Sequence, residues 1–209
     1  MIRCRVQLRF RKYGDLRYLS HRDLVRTLER LLRRAGLKLG MSEGYHPKPR
    51  MSFPSALAVG VVGTNEIVEL EFAEFMDADE VLARLHPHCP EGIAFVAAYN
   101  LADGTRKANV DRVEYAIDIP PDRRPALEQQ INWFFAQKSY FVRREKRNHP
   151  VDIRPRVESL RLDHGTLRMI LDVQPAGSVR PRELLEALGV ADVEGEGSVI
   201  ARTDVCIKA

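Results

Sequence analysis

Residues 2–12 alternate without interruption. Ile2, Cys4, Val6, Leu8 and Phe10 fall on one side, and Arg3, Arg5, Gln7, Arg9 and Arg11 on the other. A period of two sustained over that length predicts a half-buried β-strand whose polar face is rich in arginine. A helix follows. Ser20 suits an N-cap, and Asp23 three residues on completes a capping box. Leu24, Leu28, Leu31, Leu32 and Ala35 recur at helical spacing, and Gly36 supplies the stop, so the pattern predicts a helix over residues 21–35. Leu37–Met41 opens a second strand that the Gly44–Arg50 loop interrupts. Residues 51–62 are small and apolar, with Pro54 marking an edge or a bulge. Gly63-Thr64-Asn65 reads as a turn. Glu66–Phe72 then alternates, with Ile67 or Val68, Leu70 and Phe72 against Glu69 and Glu71. Asp77 or Asp79 caps a short helix over Glu80–Leu85, and Ile93–Tyr99 is a further strand. Strand, helix, strand, strand, helix, strand is the split β-α-β order of ferredoxin-like domains.

Residues 100–109 are polar and aperiodic, which places a domain boundary there. The pattern then restarts. Val113–Ile119 alternates, and Pro125 sits in the first turn of a helix running to Gln137, with Leu127, Ile131, Phe134 and Phe135 as its buried stripe. Tyr140–Val142 starts a strand. The segment Arg143–Pro150, which includes Arg144, Lys146 and Arg147, reads as a basic loop or a solvated strand. Ser159–Leu162 and Thr166–Val173 form a hairpin across Asp163-His164-Gly165. Ser178 caps a helix over Pro181–Leu188, and Ile200–Ile207 is the last strand. The expected fold is α+β: two tandem ferredoxin-like halves with mainly antiparallel sheets, residues 1–105 and 110–209. The second half carries an extra β segment.

Charge is where the chain departs from an ordinary globular composition. Residues 1–50 hold fourteen Lys/Arg against four Asp/Glu, residues 51–110 three against nine, and the remainder is balanced. A local cationic excess of that size implies an anionic partner or an acidic neighbour within the fold, for which Glu66, Glu69, Glu71 and Glu74 are the candidates. No apolar run reaches the length of a membrane span, and the N-terminus lacks the apolar stretch of a signal peptide, so a cytoplasmic location without membrane contact is expected. Cys4, Cys89 and Cys206 are far apart and odd in number. They match neither a disulfide framework nor a zinc spacing, and are expected to be buried as small apolar residues, with no bound metal.

Four groups of residues bear on chemistry. Arg22, Arg26, Arg30 and Arg33 lie on neighbouring turns of the predicted helix, spaced either to follow a phosphate backbone or to form a solvated face, with only Asp23 and Glu29 to pair with. In the loop, Tyr45 can stack on a base, His46 can donate a hydrogen bond, and Lys48 and Arg50 can reach phosphates. Pro47 and Pro49 hold the segment open. The alternative is a rigid connection with Tyr45 packed on the sheet. His21 and His46 together form a weaker candidate for an acid–base pair. Asp152 and Arg154 share a strand face. Arg154 either pairs locally with Asp152 or joins the basic surface.

Several separated motifs are similar to those of one bacterial family. They are Leu19-Ser20-His21-Arg22-Asp23-Leu24; Leu31-Leu32-Arg33-Arg34-Ala35-Gly36-Leu37; Ser42-Glu43-Gly44-Tyr45-His46-Pro47-Lys48-Pro49; Val151-Asp152-Ile153-Arg154-Pro155; and Arg180-Pro181-Arg182-Glu183-Leu184-Leu185. Across nearly its whole length the chain resembles the uncharacterised radical-SAM-associated proteins. In that family the domain occurs alone or fused C-terminal to a radical-SAM module, often encoded near a ribonuclease of the E/G type. His46 and Lys48 stand where that family often has Asn and His. The resemblance implies a radical-SAM protein as partner. The iron–sulfur cluster and S-adenosylmethionine would be supplied by that partner, since this chain has no CxxxCxxC triplet. The leading expectation is an RNA-binding accessory module acting with the radical-SAM protein in tRNA or rRNA modification or processing, without DNA specificity. The alternatives are an RNA-processing enzyme with a His21, Tyr45 and His46 site, and a protein–protein adaptor that docks the radical-SAM partner.

Overall fold

The computed structural model describes residues 4–145, 149–174 and 178–208. The chain divides into two compact units, Met1–Asn109 with Lys208–Ala209, and Val110–Ile207. Both are mixed α+β with antiparallel sheets.

In the first unit β1 (Cys4–Lys12) is central, with β3 (Val62–Phe72) on one side and β4 (Ile93–Leu101) on the other. β2 (Met51–Ser52) pairs with the far side of β3, so the order is β4-β1-β3-β2 with every neighbour antiparallel. α1 (His21–Arg34) follows β1, and α2 (Ala78–Leu85) follows β3. Ser20, Gly36 and Asp77 take the predicted cap positions, but Asp23 does not close a capping box: its carboxylate accepts from the Ser20 hydroxyl at 2.6 Å. The Asp23 N–H donates to Ser20 Oγ at 3.2 Å, Gly36 takes a φ of +68°, and the Asp77 carboxylate accepts the N–H groups of Asp79 and Glu80. Val6, Leu8 and Phe10 of β1 pack with Val68, Leu70 and Phe72 of β3 against Leu24, Leu28, Leu31 and Leu32 of α1 and Val81 and Leu85 of α2. Burial of that apolar face is the main stabilising term for the unit.

The opposite face of β1 is not the open arginine surface that its alternation predicts. Register sets Arg5 opposite Glu71 and Gln7 opposite Glu69. Glu66, Glu69 and Glu71 are all buried, Glu69 at 3% exposure. Arg5 Nη2 donates to Glu69 Oε2 at 2.8 Å, and Arg5 Nη1 donates to the Thr105 carbonyl. The Ala108 N–H donates to Glu69 Oε1 at 3.1 Å. Part of the local cationic excess is therefore neutralised inside this unit. The polar segment after β4, which reads as a linker in the sequence, takes part in doing so.

Gly63-Thr64-Asn65 is also not a turn. All three residues lie within β3, and Gly63 pairs with Lys12. Glycine is needed at position 63 because a Cβ there would stand 2.5 Å from Cγ of the buried Glu66 side chain. Gly63→Ala is expected to destabilise the protein by about 1–3 kcal/mol, the usual cost of overpacking, as measured by urea denaturation.

In the second unit β5 (Val110–Asp118) is central, flanked by β9 (Thr166–Asp172) and β10 (Ala201–Ile207). β8 (Val157–Asp163) lies beyond β9, giving the order β10-β5-β9-β8, again antiparallel throughout. α3 (Arg124–Ala136) follows β5 and α4 (Pro181–Ala187) follows β9. β6 (Phe141–Val142) and β7 (Val151–Asp152) form a separate two-stranded ladder inserted after α3. Lys146, Arg147 and Asn148 of the basic segment lie outside the described residues. The β8–β9 turn puts His164 at φ 47° and Gly165 at +86°, as a tight hairpin requires.

Ser178 does not cap α4. The cap residue is Arg180, whose N–H donates to Glu183 Oε2 at 3.0 Å, while the Ser178 carbonyl accepts from Arg144 Nη2 at 2.8 Å. Arg144 grips the same Glu183 with two bonds, of 2.7 and 2.8 Å. This bidentate pair fastens the β6 end of the inserted segment to α4.

The cysteines are free and half-buried rather than fully buried. Burial pushes the Cys89 and Cys206 thiols up from their ordinary value. Among the described residues no helix is long and apolar enough to cross a membrane.

Candidate nucleic-acid interface

The exposed side of α1 is set by its buried side. With Leu24, Leu28, Leu31 and Leu32 held in the core, a rotation of about 100° per residue places Arg22, Arg26, Arg30 and Arg33 within about 80° of arc on the outside. All four are exposed. Arg26 reaches Asp23 at 3.7 Å, with both side chains half exposed, and Arg30 Nη2 donates to Thr27 Oγ1 at 3.2 Å. Among the described residues, Arg22 and Arg33 make no ion pair. Arg33 and Arg34 occupy the last turn, where the helix dipole favours cations.

The 42–50 segment is the tip of a narrow β-hairpin. Its stem is knitted by backbone bonds. Gly40 N–H donates to the Glu71 carbonyl at 2.7 Å, Arg50 N–H to Gly40 at 2.8 Å, and Ser42 N–H to Lys48 at 2.8 Å. The Lys48 N–H returns to Ser42 Oγ at 2.9 Å and closes the tip. Gly44, at φ +123°, makes the reversal inside it. Tyr45 is 95% exposed, and among the described residues its ring partner is the edge of His46, with centroids 4.9 Å apart at 77°. It is therefore not packed on the sheet, the arrangement a rigid connection would need. The Lys48 side chain is exposed and, among the described residues, makes no ion pair.

Other candidate residues are placed differently. Arg50 turns back toward the stem. Its Nε donates to the Met41 carbonyl at 3.0 Å and its Nη1 lies 3.4 Å from Glu71 Oε2, so its guanidinium already holds the hairpin to β3. Arg154 belongs to the second unit. There its Nη2 donates to the Phe135 carbonyl at 3.1 Å, and its guanidinium lies 4.7 Å from the Phe135 ring centroid and 5.7 Å from that of Phe134. It closes the end of α3. Asp152 accepts the N–H groups of Tyr140 and Arg154 with its carboxylate and makes no bond to the Arg154 guanidinium. His21 stacks edge-on against Phe53, 5.0 Å between centroids, while His46 contacts Tyr45. No hydrogen bond joins the two histidines.

Sequence reasoning did not find how the helix meets the hairpin. Glu29, Leu32 and Arg33 of α1, Leu37, Lys38 and Leu39 after it, and Met41 and Pro49 of the stem line one hollow. The arginine stripe therefore runs at its C-terminal end into the base of the loop. The available signal was Glu29 itself, an acid placed among arginines one turn before Arg33. In the second unit Glu114, Asp204 and Cys206 bring ligand-type atoms within 4.8 Å of one another. Arg112, on the same strand as Glu114, lies 3.7 Å from Glu158.

Residues 5–181 match the model of a family described as an uncharacterized protein conserved in bacteria. No curated protein matches the chain. Among solved structures, an unknown protein from Galdieria sulphuraria is similar over 99% of both chains at 10% identity, with a TM-score of 0.29. A protein named "putative glycine cleavage system transcriptional repressor" is similar over 98% of both chains at 10% identity, with a TM-score of 0.26.

Proposed function

The chain belongs to that bacterial family, DUF2344, and for it we propose the role of an RNA-binding module that presents RNA to a radical-SAM partner. The observation that carries the reading is Tyr45. A tyrosine 95% exposed at the closed tip of a hairpin, beside a helix with an unbalanced arginine face, has no packing role to account for it. An aromatic platform flanked by cations is the combination that takes up unpaired nucleotides: the ring stacks on a base while the cations hold phosphates. Arg22, Arg26, Arg30, Arg33 and Lys48 form the cationic part of the surface. Arg50 supports it from below by fixing the hairpin to β3.

Both units are read as ferredoxin-like. The support is the shared strand, helix, strand, strand, helix, strand succession, with the first strand central and its neighbours antiparallel. The radical-SAM partner is the one implied by the motif resemblance. It would carry the iron–sulfur cluster and S-adenosylmethionine, with tRNA or rRNA as the shared substrate in the cytoplasm.

Tyr45→Ala tests the reading. Loss of one stacking contact weakens RNA binding by about 1–3 kcal/mol, or roughly 5- to 150-fold. The slope of log affinity against log salt stays unchanged because no charge is removed. The melting temperature also stays unchanged, since the ring has almost no contacts to lose. Fluorescence anisotropy with labelled tRNA and rRNA fragments reads the affinity. Equal binding by wild type and Tyr45→Ala would remove the platform and the proposal with it.

A further inference from the structure

The hollow where α1 meets the hairpin stem has a volume of about 340 Å³, within the lower range of small-ligand sites. Leu32, Leu39 and Pro49 give it apolar walls, and Glu29, Arg33 and Lys38 are its polar lining. Glu29 and Arg33 are one turn apart on α1, the spacing at which an acid and a base normally pair. They do not pair here. Among the described residues the Glu29 carboxylate, the Arg33 guanidinium and the Lys38 ammonium each make no hydrogen bond and no ion pair. A half-buried carboxylate without a partner, against apolar walls and between two uncommitted cations, is suited to a guest with a particular pair of properties. The guest must offer adjacent N–H donors to the carboxylate and carry negative charge for the cations. A flat apolar body must join the two.

From this arrangement we infer that the hollow binds a guanine nucleotide. The base lies against Leu32, Leu39 and Pro49. Glu29 accepts from the guanine N1–H and N2–H, and Arg33 and Lys38 hold the phosphate. The other bases do not meet the same demand. Adenine and cytosine each set a ring-nitrogen acceptor beside the exocyclic amine, which faces the second carboxylate oxygen with a lone pair. Uracil offers a single N–H between two carbonyls. A cationic guest, such as an arginine side chain from a protein, would meet repulsion from Arg33 and Lys38. The inference deepens the RNA reading and rests on it for one of two sources of the ligand. The guanosine is either an unpaired residue of RNA stacked near Tyr45 or a free nucleotide.

The test titrates the full-length protein with GMP, IMP and AMP by calorimetry. It also measures anisotropy with oligouridine carrying one central G or one central A. GMP is expected to bind about tenfold tighter than AMP, with IMP between them because it lacks the N2 amine. Glu29→Gln is expected to erase the GMP preference, and Arg33→Ala to weaken all three nucleotides together. Circular dichroism confirms that both variants fold. A preference for G confined to the oligonucleotide identifies an RNA residue as the ligand. A preference for GMP without measurable binding of either oligonucleotide identifies a free nucleotide and counts against the RNA reading. Absence of a G preference in both the mononucleotide and the oligonucleotide series, or a preference that survives Glu29→Gln, overturns the inference. Salt-dependent RNA binding that persists alongside either of those results leaves the RNA reading standing without it.

Discussion

Replacing Arg22, Arg26 and Arg30 together by alanine is expected to flatten the salt dependence of RNA binding by about 2 in log–log slope and to lower affinity about fiftyfold at 0.15 M salt. Both figures follow from about 0.7 counterions released per phosphate contact on a single strand. The three guanidinium groups sit at successive turns of one exposed face. The fold has little stake in them. The one ion pair they make among the described residues, Arg26 with Asp23 at 3.7 Å, is half exposed at both ends and belongs to a class that contributes little to stability. Alanine is also at least as good a helix former as arginine. The triple variant should therefore melt with the wild type while binding poorly, which separates a binding role from a structural one. A control substitution, Arg84→Ala on α2, removes an exposed arginine that is paired with Glu80 and is expected to leave RNA affinity alone.

The largest expected stability effect lies on the other face of the first unit. Glu69→Ala is expected to destabilise the protein by about 3–5 kcal/mol, the range for breaking a buried pair by deleting one partner. The carboxylate is 3% exposed, accepts from Arg5 at 2.8 Å and takes the Ala108 N–H at 3.1 Å. Its loss leaves a largely buried guanidinium without a counter-ion and an amide without an acceptor. The Arg5 Nε is already buried with no partner, so Arg5 has little capacity to compensate. The double variant Arg5→Met, Glu69→Leu is expected to recover most of the loss, because two apolar side chains of similar volume need no counter-ion. Urea denaturation of the two single variants and the double variant measures the coupling. A loss below about 1 kcal/mol for Glu69→Ala would mean that the pair is effectively solvated.

This buried pair also marks where sequence reading reaches its limit. Alternation in β1 and β3 gives the strands and their apolar face correctly, because a period of two reports which side chains share a face. It does not report whether the second face is wet. In the sequence Glu69 and Glu71 stand as candidate acidic neighbours for the cationic excess, and the antiparallel register that brings Arg5 and Gln7 across from them makes their burial tolerable. Gly63-Thr64-Asn65 carries a local turn signal that pairing with β1 overrides. The α1 helix was fully legible, since Ser20, the leucine spacing and Gly36 are all local signals. The arginine face followed from it. The hairpin tip was legible as a loop with little to bury, but its closure by Ser42 and Lys48 depends on hydrogen bonds with no sequence signature. Arg154 was drawn into the candidate surface by its charge alone. The aromatic faces of Phe134 and Phe135 and the Phe135 carbonyl, distant in sequence, fix its guanidinium inside the second unit instead. At α4 a serine near the helix start suggested the cap. Two residues further on, the Glu183 carboxylate accepts the Arg180 N–H, and Arg144 grips that carboxylate from the inserted segment.

The central claim is that the helix and the hairpin form one RNA-binding face. The most direct measurement is the affinity of the unmodified protein for total tRNA and for rRNA fragments, followed by anisotropy from about 0.05 to 0.3 M salt. The account predicts binding that weakens steeply and linearly on log–log axes, with unpaired or looped RNA preferred over duplex of the same length. Absence of binding at the lowest salt, or an affinity indifferent to salt, would contradict it. The arginine face of α1 would then be read as a surface for docking an acidic protein.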